Sequence, residues 1–145
     1  MDFEQIPHTA DLKIKAYGNT LEQLFTNALI GMFSSIKPKS KLITYTDDKP
    51  LILELPIKRH VKAKSDNLEF LLVDFLSECL YLSDVHNEAY FDAKFDLLTY
   101  TQVVCSVYGV KVTGFEVVEI KAVTYNDLKI EHSITGWTAT VVFDI

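Results

Sequence analysis

The order of two hydrophobic periods along the chain is the feature that most constrains its fold. Residues 11–17 alternate, because Leu12, Ile14 and Ala16 share one face and Asp11 and Lys13 lie on the other. This pattern predicts a half-buried strand. After Gly18 the spacing becomes helical, with apolar residues three and four apart: Leu21, Leu24, Phe25, Ala28, Leu29, Met32, Phe33 and Ile36. This stripe predicts an amphipathic helix that starts after a capping box at Thr20 and Gln23 and ends at Pro38.

The rest of the chain repeats this order of strand and helix once and then contains only predicted strands. Residues 50–64 predict a long strand in which Pro56 indicates an edge or a bulge. Asp66 and Glu69 predict the N-terminal cap of a second helix, which carries Leu68, Leu71, Leu72, Phe75, Leu76, Cys79 and Leu80. Beyond Asn87 the predicted strands are 89–98, 100–110, 115–131 (with a possible interruption) and 136–145, and a hairpin turn at 134–136 precedes the last.

This succession predicts an α+β fold. Strands, then two helices, then adjacent strands with short connections favour two amphipathic helices packed on a mainly antiparallel β-sheet. At 145 residues, with no linker, repeat or low-complexity segment, we expect a single domain over residues 1–145.

Charge and composition limit the classes of partner. The 14 Lys and Arg residues face 20 acids, for a net charge of -6, so direct binding to a nucleic-acid backbone is not expected. The start of the chain is acidic and no apolar run is long enough to span a bilayer. We therefore expect a soluble, cytoplasmic protein, in which Cys79 and Cys105 are buried free thiols.

No common catalytic motif is present. The sequence lacks a P-loop, a dinucleotide fingerprint, a zinc-protease helix and a nucleophile elbow. Its four histidines share no ligand-like spacing. A stand-alone enzyme with a common cofactor is not indicated.

Candidate chemistry lies at the two ends of the chain. The last predicted strand ends on Asp144 and Ile145, which would bring a side-chain carboxylate and a terminal carboxylate together. Asp11, on the polar face of the first strand, could add a third oxygen donor, and Lys121 lies on an alternating segment that could offset the charge. Neighbouring carboxylates repel unless a cation joins them, and oxygen donors suit calcium or magnesium. Each feature also has a plainer interpretation: a local turn at Asp11, a solvated lysine, a frayed terminus.

At these positions the sequence resembles the archease family. The resemblance rests on Pro7-His8-Thr9-Ala10-Asp11, on Lys121-Ala122-Val123-Thr124-Tyr125, and on the end from Trp137 to Asp144-Ile145. It implies a protein cofactor, not an enzyme, which promotes guanylylation and multiple turnover of an RNA-splicing ligase in tRNA splicing and RNA repair. It further implies a divalent metal ion, with Asp11 and Asp144 as metal residues and Lys121 acting together with them toward the partner. Ile145 could add its terminal carboxylate or carbonyl to the metal site. Many family members carry His where this chain has Asn126, so we assign Asn126 no proton transfer.

Two other functions stay open at this point. A chaperone-like modulator of a tRNA-modifying enzyme, an activity also associated with the family, would need an exposed apolar patch. A metal-dependent hydrolase built on Asp11 and Asp144 is disfavoured, because no general base or phosphate cradle is evident.

Overall fold

The structure is a computed structural model and describes residues 2–6, 11–47 and 49–145. Its two helices are α1 (Leu21–Ile36) and α2 (Leu68–His86). The strands in chain order are β1 (Phe3–Ile6), β2 (Asp11–Gly18), β3 (Pro38–Lys39), β4 (Ile43–Thr46), β5 (Lys49–Ile52), β6 (Ile57–Lys64), β7 (Glu88–Leu98), β8 (Gln102–Lys111), β9 (Gly114–Phe115), β10 (Ala122–Ser133) and β11 (Gly136–Asp144).

Helix α1 has the bounds that its hydrophobic stripe predicts. The Thr20 side chain accepts a hydrogen bond from the Gln23 N–H (3.1 Å), and the Gln23 side chain accepts one from the Asn19 N–H (2.8 Å). These bonds satisfy donors that the first helical turn would otherwise leave open. At the other end Lys37 adopts a left-handed conformation (φ 54°), after which Pro38 cannot continue the helix.

The N-terminal cap of helix α2 lies one residue later than predicted. The N-cap is Asn67, whose side chain accepts from the Phe70 N–H at 2.9 Å. The prediction of a cap at Asp66 is therefore wrong, because Asp66 is one position too early to reach the third helical N–H. The helix ends at His86, and the C-cap residue Asn87 is left-handed (φ 55°).

The strands form two main sheets and two short ladders, and every pairing among the described residues is antiparallel. One sheet has the order β1-β2-β11-β10, and the other has the order β6-β8-β7. Helix α1 packs against β2 and β7, while α2 packs against β10 and β6, so each helix bridges both sheets. The predicted α+β class is confirmed.

The predicted strand at residues 50–64 is divided in two. It consists of β5, which forms a hairpin with β4, and β6, which joins the three-stranded sheet. The break falls at residues 53–56, where Pro56 offers no N–H to a ladder. Strands β1, β3 and β4 were not predicted from the sequence. The predicted 115–131 strand is interrupted, because residues 116–121 separate β9 from β10.

The core lies between the helices and the inner faces of both sheets. Cys79 and Cys105 are buried free thiols, as predicted, and burial raises the pKa of each. Across the described residues, neither helix has the length and apolarity needed to cross a membrane.

Candidate functional site

The two predicted acidic residues lie side by side at one end of the four-stranded sheet. Strand β2 begins at Asp11, β11 ends at Asp144, and these two residues are direct partners in the antiparallel ladder. Directly opposite residues project from the same face of a sheet, with Cβ atoms about 5 Å apart. Asp144 is exposed and Asp11 is half-buried. The fold therefore brings together two carboxylates that are 133 positions apart in the chain.

Ile145 anchors the end of β11. Its side chain is half-buried and packs against the core, on the same side as Val141 and Phe143. Asp144, on the alternate position, points away from that core. Phe143 before it and Ile145 after it both pack on the core, which gives the Asp144 carboxylate a defined position in place of the frayed end that is common at termini.

Lys121 reaches the same end through its backbone. The Lys121 N–H donates to the Asp144 carbonyl at 2.7 Å, and Ala122, the first residue of β10, is the ladder partner of Asp144. The Lys121 side chain is exposed. The alternation of residues 119–125 in the sequence predicts that Lys121, Val123 and Tyr125 share one face of a strand. This prediction is wrong, because Val123 is buried while Lys121 and Tyr125 are exposed. Lys121 lies before the strand begins, so the strand period does not govern its direction.

A bulge in β10 covers the sheet next to the two acids. The ladder with β11 shifts register between Thr124 and Lys129, and Asp127 within the bulge is left-handed (φ 51°). Lys13 of β2 is the partner of Val142, and Val142 is also the partner of Thr124. The ion pair between Lys13 Nζ and Asp127 Oδ2 (3.5 Å) thus links β2 to β10 across the face of β11.

Val142 shows the result of this cover. It points away from the core side of β11, yet it is only 1% exposed. The Thr124 hydroxyl donates to the Val142 carbonyl at 2.9 Å, and the Asn126 N–H donates to that hydroxyl oxygen at 3.3 Å. The Asn126 side chain is exposed. Lys13 could have been identified from its shared face with Asp11, whereas no sequence pattern indicates Asp127, because a bulge breaks the period.

Tyr125 connects the same segment to α2. Its ring meets Phe70 edge-on, with ring centroids 5.2 Å apart. Pro7, His8, Thr9 and Ala10 of the predicted opening motif lie outside the described residues.

The donor chemistry at Asp11 and Asp144 fits a hard divalent cation. Both offer carboxylate oxygens, and Ile145 adds main-chain oxygen, which are the ligands that calcium and magnesium prefer. Within residues 2–6, 11–47 and 49–145 no group of three His, Cys, Asp or Glu side chains could hold a metal ion. An ion held by this pair would therefore complete its coordination with main-chain oxygen, water or donors from another molecule.

Comparison with known proteins agrees with the fold. The profile of the Archease protein family matches residues 3–145. A protein archease from Methanosarcina barkeri is 38% identical over 151 residues, covering 99% of this chain and 95% of the relative. Another, from Pyrococcus furiosus, is 31% identical over 150 residues, covering 99% and 98%.

Two solved structures share the architecture. The solution structure of Methanobacterium thermoautotrophicum protein 1598 superposes with a TM-score of 0.74 at 26% identity, covering 99% of this chain and 98% of that one. The crystal structure of an archease, described as a possible chaperone, from Thermotoga maritima has a TM-score of 0.62 at 22% identity, covering 98% and 96%. The fold is thus that of a small α+β protein in which the start of β2 and the end of β11 place two acids side by side at one end of the four-stranded sheet. The chain belongs to the archease family.

Proposed function

We propose that this protein is an activator of an RNA-splicing ligase, which it engages through the end of the sheet that carries Asp11 and Asp144. The observation that carries the proposal is the direct pairing of these two acids in the ladder. The Lys121 N–H is also hydrogen-bonded to the Asp144 carbonyl. Family membership supports the same role. In the activated step, a histidine nitrogen of the ligase attacks the α-phosphorus of GTP, a P–N bond forms and pyrophosphate leaves.

The part of this chain in that step is positional and electrostatic. We call the end of the sheet that carries Asp11, Lys121 and Asp144 the tip. Asp144 is exposed there and Asp11 lies beside it, so the pair can enter the mouth of a partner's active site as a unit. A divalent ion held between them would supply charge neutralisation at phosphate oxygens. The exposed Lys121 ammonium would offset charge on a nucleotide phosphate.

The experiment is a titration of this protein into a purified RNA-splicing ligase with labelled GTP and magnesium or manganese, following covalent guanylate. We expect Asp144→Asn and Lys121→Ala each to reduce the stimulated rate by about tenfold or more, as for the loss of a charged group near a reacting phosphate. Glu131→Gln is the control, because it removes one negative charge, as Asp144→Asn does. Glu131 is exposed near the other end of β10, away from Ala122 and Asp144. Full stimulation by both tip variants would overturn the proposal.

A second candidate is a chaperone-like modulator of a tRNA-modifying enzyme. Two observations favour it: the Thermotoga maritima relative is described as a possible chaperone, and Leu51 and Leu53 are 59% and 67% exposed. These two exposed leucines lie two residues apart on one segment, where a partner protein could cover both.

The two candidates separate in one comparison. If this second function holds, Leu51→Ser with Leu53→Ser abolishes suppression of a client enzyme's aggregation, as followed by light scattering, while Asp144→Asn retains it. If Leu51→Ser with Leu53→Ser suppresses aggregation as well as the parent protein, the chaperone-like function is wrong.

A further inference from the structure

A cluster of aromatic and acidic side chains lies at the opposite end of the four-stranded sheet from Asp11 and Asp144. Here Trp137, at the start of β11, stacks flat on His132 of β10, with ring centroids 3.9 Å apart and planes within 2°. Tyr100, in the turn between β7 and β8, meets Trp137 edge-on at 6.1 Å. Three rings from three different segments thus converge on one spot.

These rings line a cavity of about 480 Å³ that also contains acidic groups. Asp66 and Glu69, at the start of α2, form its other wall. We call the space bounded by Asp66, Glu69, Tyr100, His132 and Trp137 the aromatic pocket. Tyr100 is 58% exposed, so its ring is accessible from solvent.

The carboxylates in the aromatic pocket are available to a ligand. The ion pairs of the described part of the chain use other acids, so neither Asp66 nor Glu69 is neutralised by an ion-pair partner there. The neighbouring N–H of α2 is already taken, because the Asn67 side chain accepts from Phe70. A phosphate would thus meet two carboxylates and a helix start whose Phe70 donor is occupied.

The turn that carries Tyr100 is held in place before any ligand binds. The Ser65 N–H donates to the Thr101 carbonyl and the Thr99 N–H donates to the Gln102 carbonyl, both at 2.9 Å. Preorganisation of this kind lowers the cost of binding.

We propose that the aromatic pocket binds the guanidinium group of an arginine on a basic segment of a partner protein. Aromatic faces attract cations, and a planar guanidinium can stack on a ring while it donates to carboxylates, which an ammonium does less well. The net charge of -6 attracts a basic partner over a longer range. This inference does not depend on the ligase proposal, because it concerns the other end of the sheet.

Trp137 is the one tryptophan of the chain, so its fluorescence reports on the pocket directly. The probe is N-acetyl-arginine amide, which carries a single charge, and the matched neutral probe is N-acetyl-citrulline amide. We expect the arginine probe to change Trp137 emission saturably, with half-saturation in the millimolar range, roughly 1–10 mM for so small a ligand. The citrulline probe should produce no saturable change over the same range.

The variants separate a built site from general attraction to an acidic protein. Asp66→Asn with Glu69→Gln should weaken binding by about fivefold or more, and Tyr100→Ala by about threefold, while Tyr100→Phe retains affinity. The control Asp47→Asn with Glu54→Gln removes the same charge from exposed positions that do not line the pocket, and should bind as the parent does. Far-UV circular dichroism verifies that each variant is folded.

Three results would overturn the proposal. One is equal weakening in the control double variant, which would indicate non-specific attraction. Another is equal response to citrulline and arginine probes. The third is a saturable response to uridine monophosphate with none to the arginine probe, since stacked aromatic rings also accept nucleobases.

Discussion

At the scale of single residues, Glu88 is a fully buried carboxylate held by several partners. It begins β7 with no solvent exposure, and Arg59, the chain's one arginine, donates two hydrogen bonds to its carboxylate at 2.9 and 2.8 Å. The Tyr90 hydroxyl donates at 2.8 Å and Lys111 Nζ lies 3.3 Å away. Burial alone would raise the pKa of Glu88, but these partners outweigh it and lower the pKa to about 2.

This cluster predicts a pH-dependent stability. A carboxyl whose pKa is lower in the folded than in the unfolded state stabilises above its unfolded pKa, and that stabilisation disappears as the pH falls toward 2. We expect Glu88→Gln to lower the free energy of unfolding by about 3 kcal/mol at pH 7, because it leaves Arg59 without its buried partner. Urea unfolding at pH 7, 5 and 3 measures this.

The difference between the parent protein and Glu88→Gln should shrink at pH 3. Glu131→Gln is the control, since Glu131 is exposed and its contact with Lys129 is 3.6 Å long; it should change stability by less than about 0.5 kcal/mol. An equal effect of Glu88→Gln at pH 3 and pH 7 would contradict the assignment.

At the scale of elements, the start of α1 couples a helix cap to the preceding strand. Thr20 and Gln23 satisfy two backbone donors there, and Gly18 at the end of β2 lies so close to α1 that a Cβ atom would be 2.4 Å from the Leu24 nitrogen. The junction therefore requires a capping side chain at Thr20 and no side chain at Gly18.

We expect Thr20→Ala to lower the free energy of unfolding by about 1 kcal/mol, because the Gln23 N–H loses its acceptor. Thr20→Ser keeps the hydroxyl and should remain within about 0.5 kcal/mol of the parent. Chemical unfolding followed by far-UV circular dichroism measures both. If Thr20→Ala is as stable as Thr20→Ser, the cap contributes nothing.

At the scale of the whole molecule, aromatic side chains join the two main sheets through the helices. Phe25 of α1 lies 5.4 Å from Phe75 of α2 and 6.4 Å from Phe95 of β7, measured between ring centroids. Since both helices bridge both sheets, neither sheet has a separate core. The two sheets should unfold together.

Two probes can test this. Trp137 fluorescence reports on the four-stranded sheet, and amide exchange along β8 reports on the three-stranded sheet; we expect coincident transitions. Phe25→Ala should lower the free energy of unfolding by about 3–5 kcal/mol on both probes, while Phe25→Leu costs less because it leaves a smaller cavity. Separate transitions in the parent protein would contradict a shared core.

The hydrophobic period of the sequence was sufficient to predict an element wherever its side chains alternate, or recur at helical spacing, against the core. Both helices and the strand from Asp11 follow from it, while turn residues indicate the hairpin before β11. Period was insufficient at Pro56 and in the bulge around Asp127, where the backbone departs from a repeating geometry. The short strands β1, β3 and β4 are held by partners and not by a local pattern, so no window of sequence reveals them.

The sequence by itself determined the α+β class, the two helices and the identity of the acidic residues, because these depend on local hydrophobic spacing and residue type. Only the tertiary structure decided that Asp11 and Asp144 are ladder partners, that Lys13 and Asp127 close over Val142, and that Trp137 and Tyr100 share a pocket with Asp66 and Glu69. These contacts join distant parts of the chain, and their geometry follows from strand register and packing, which local spacing does not encode.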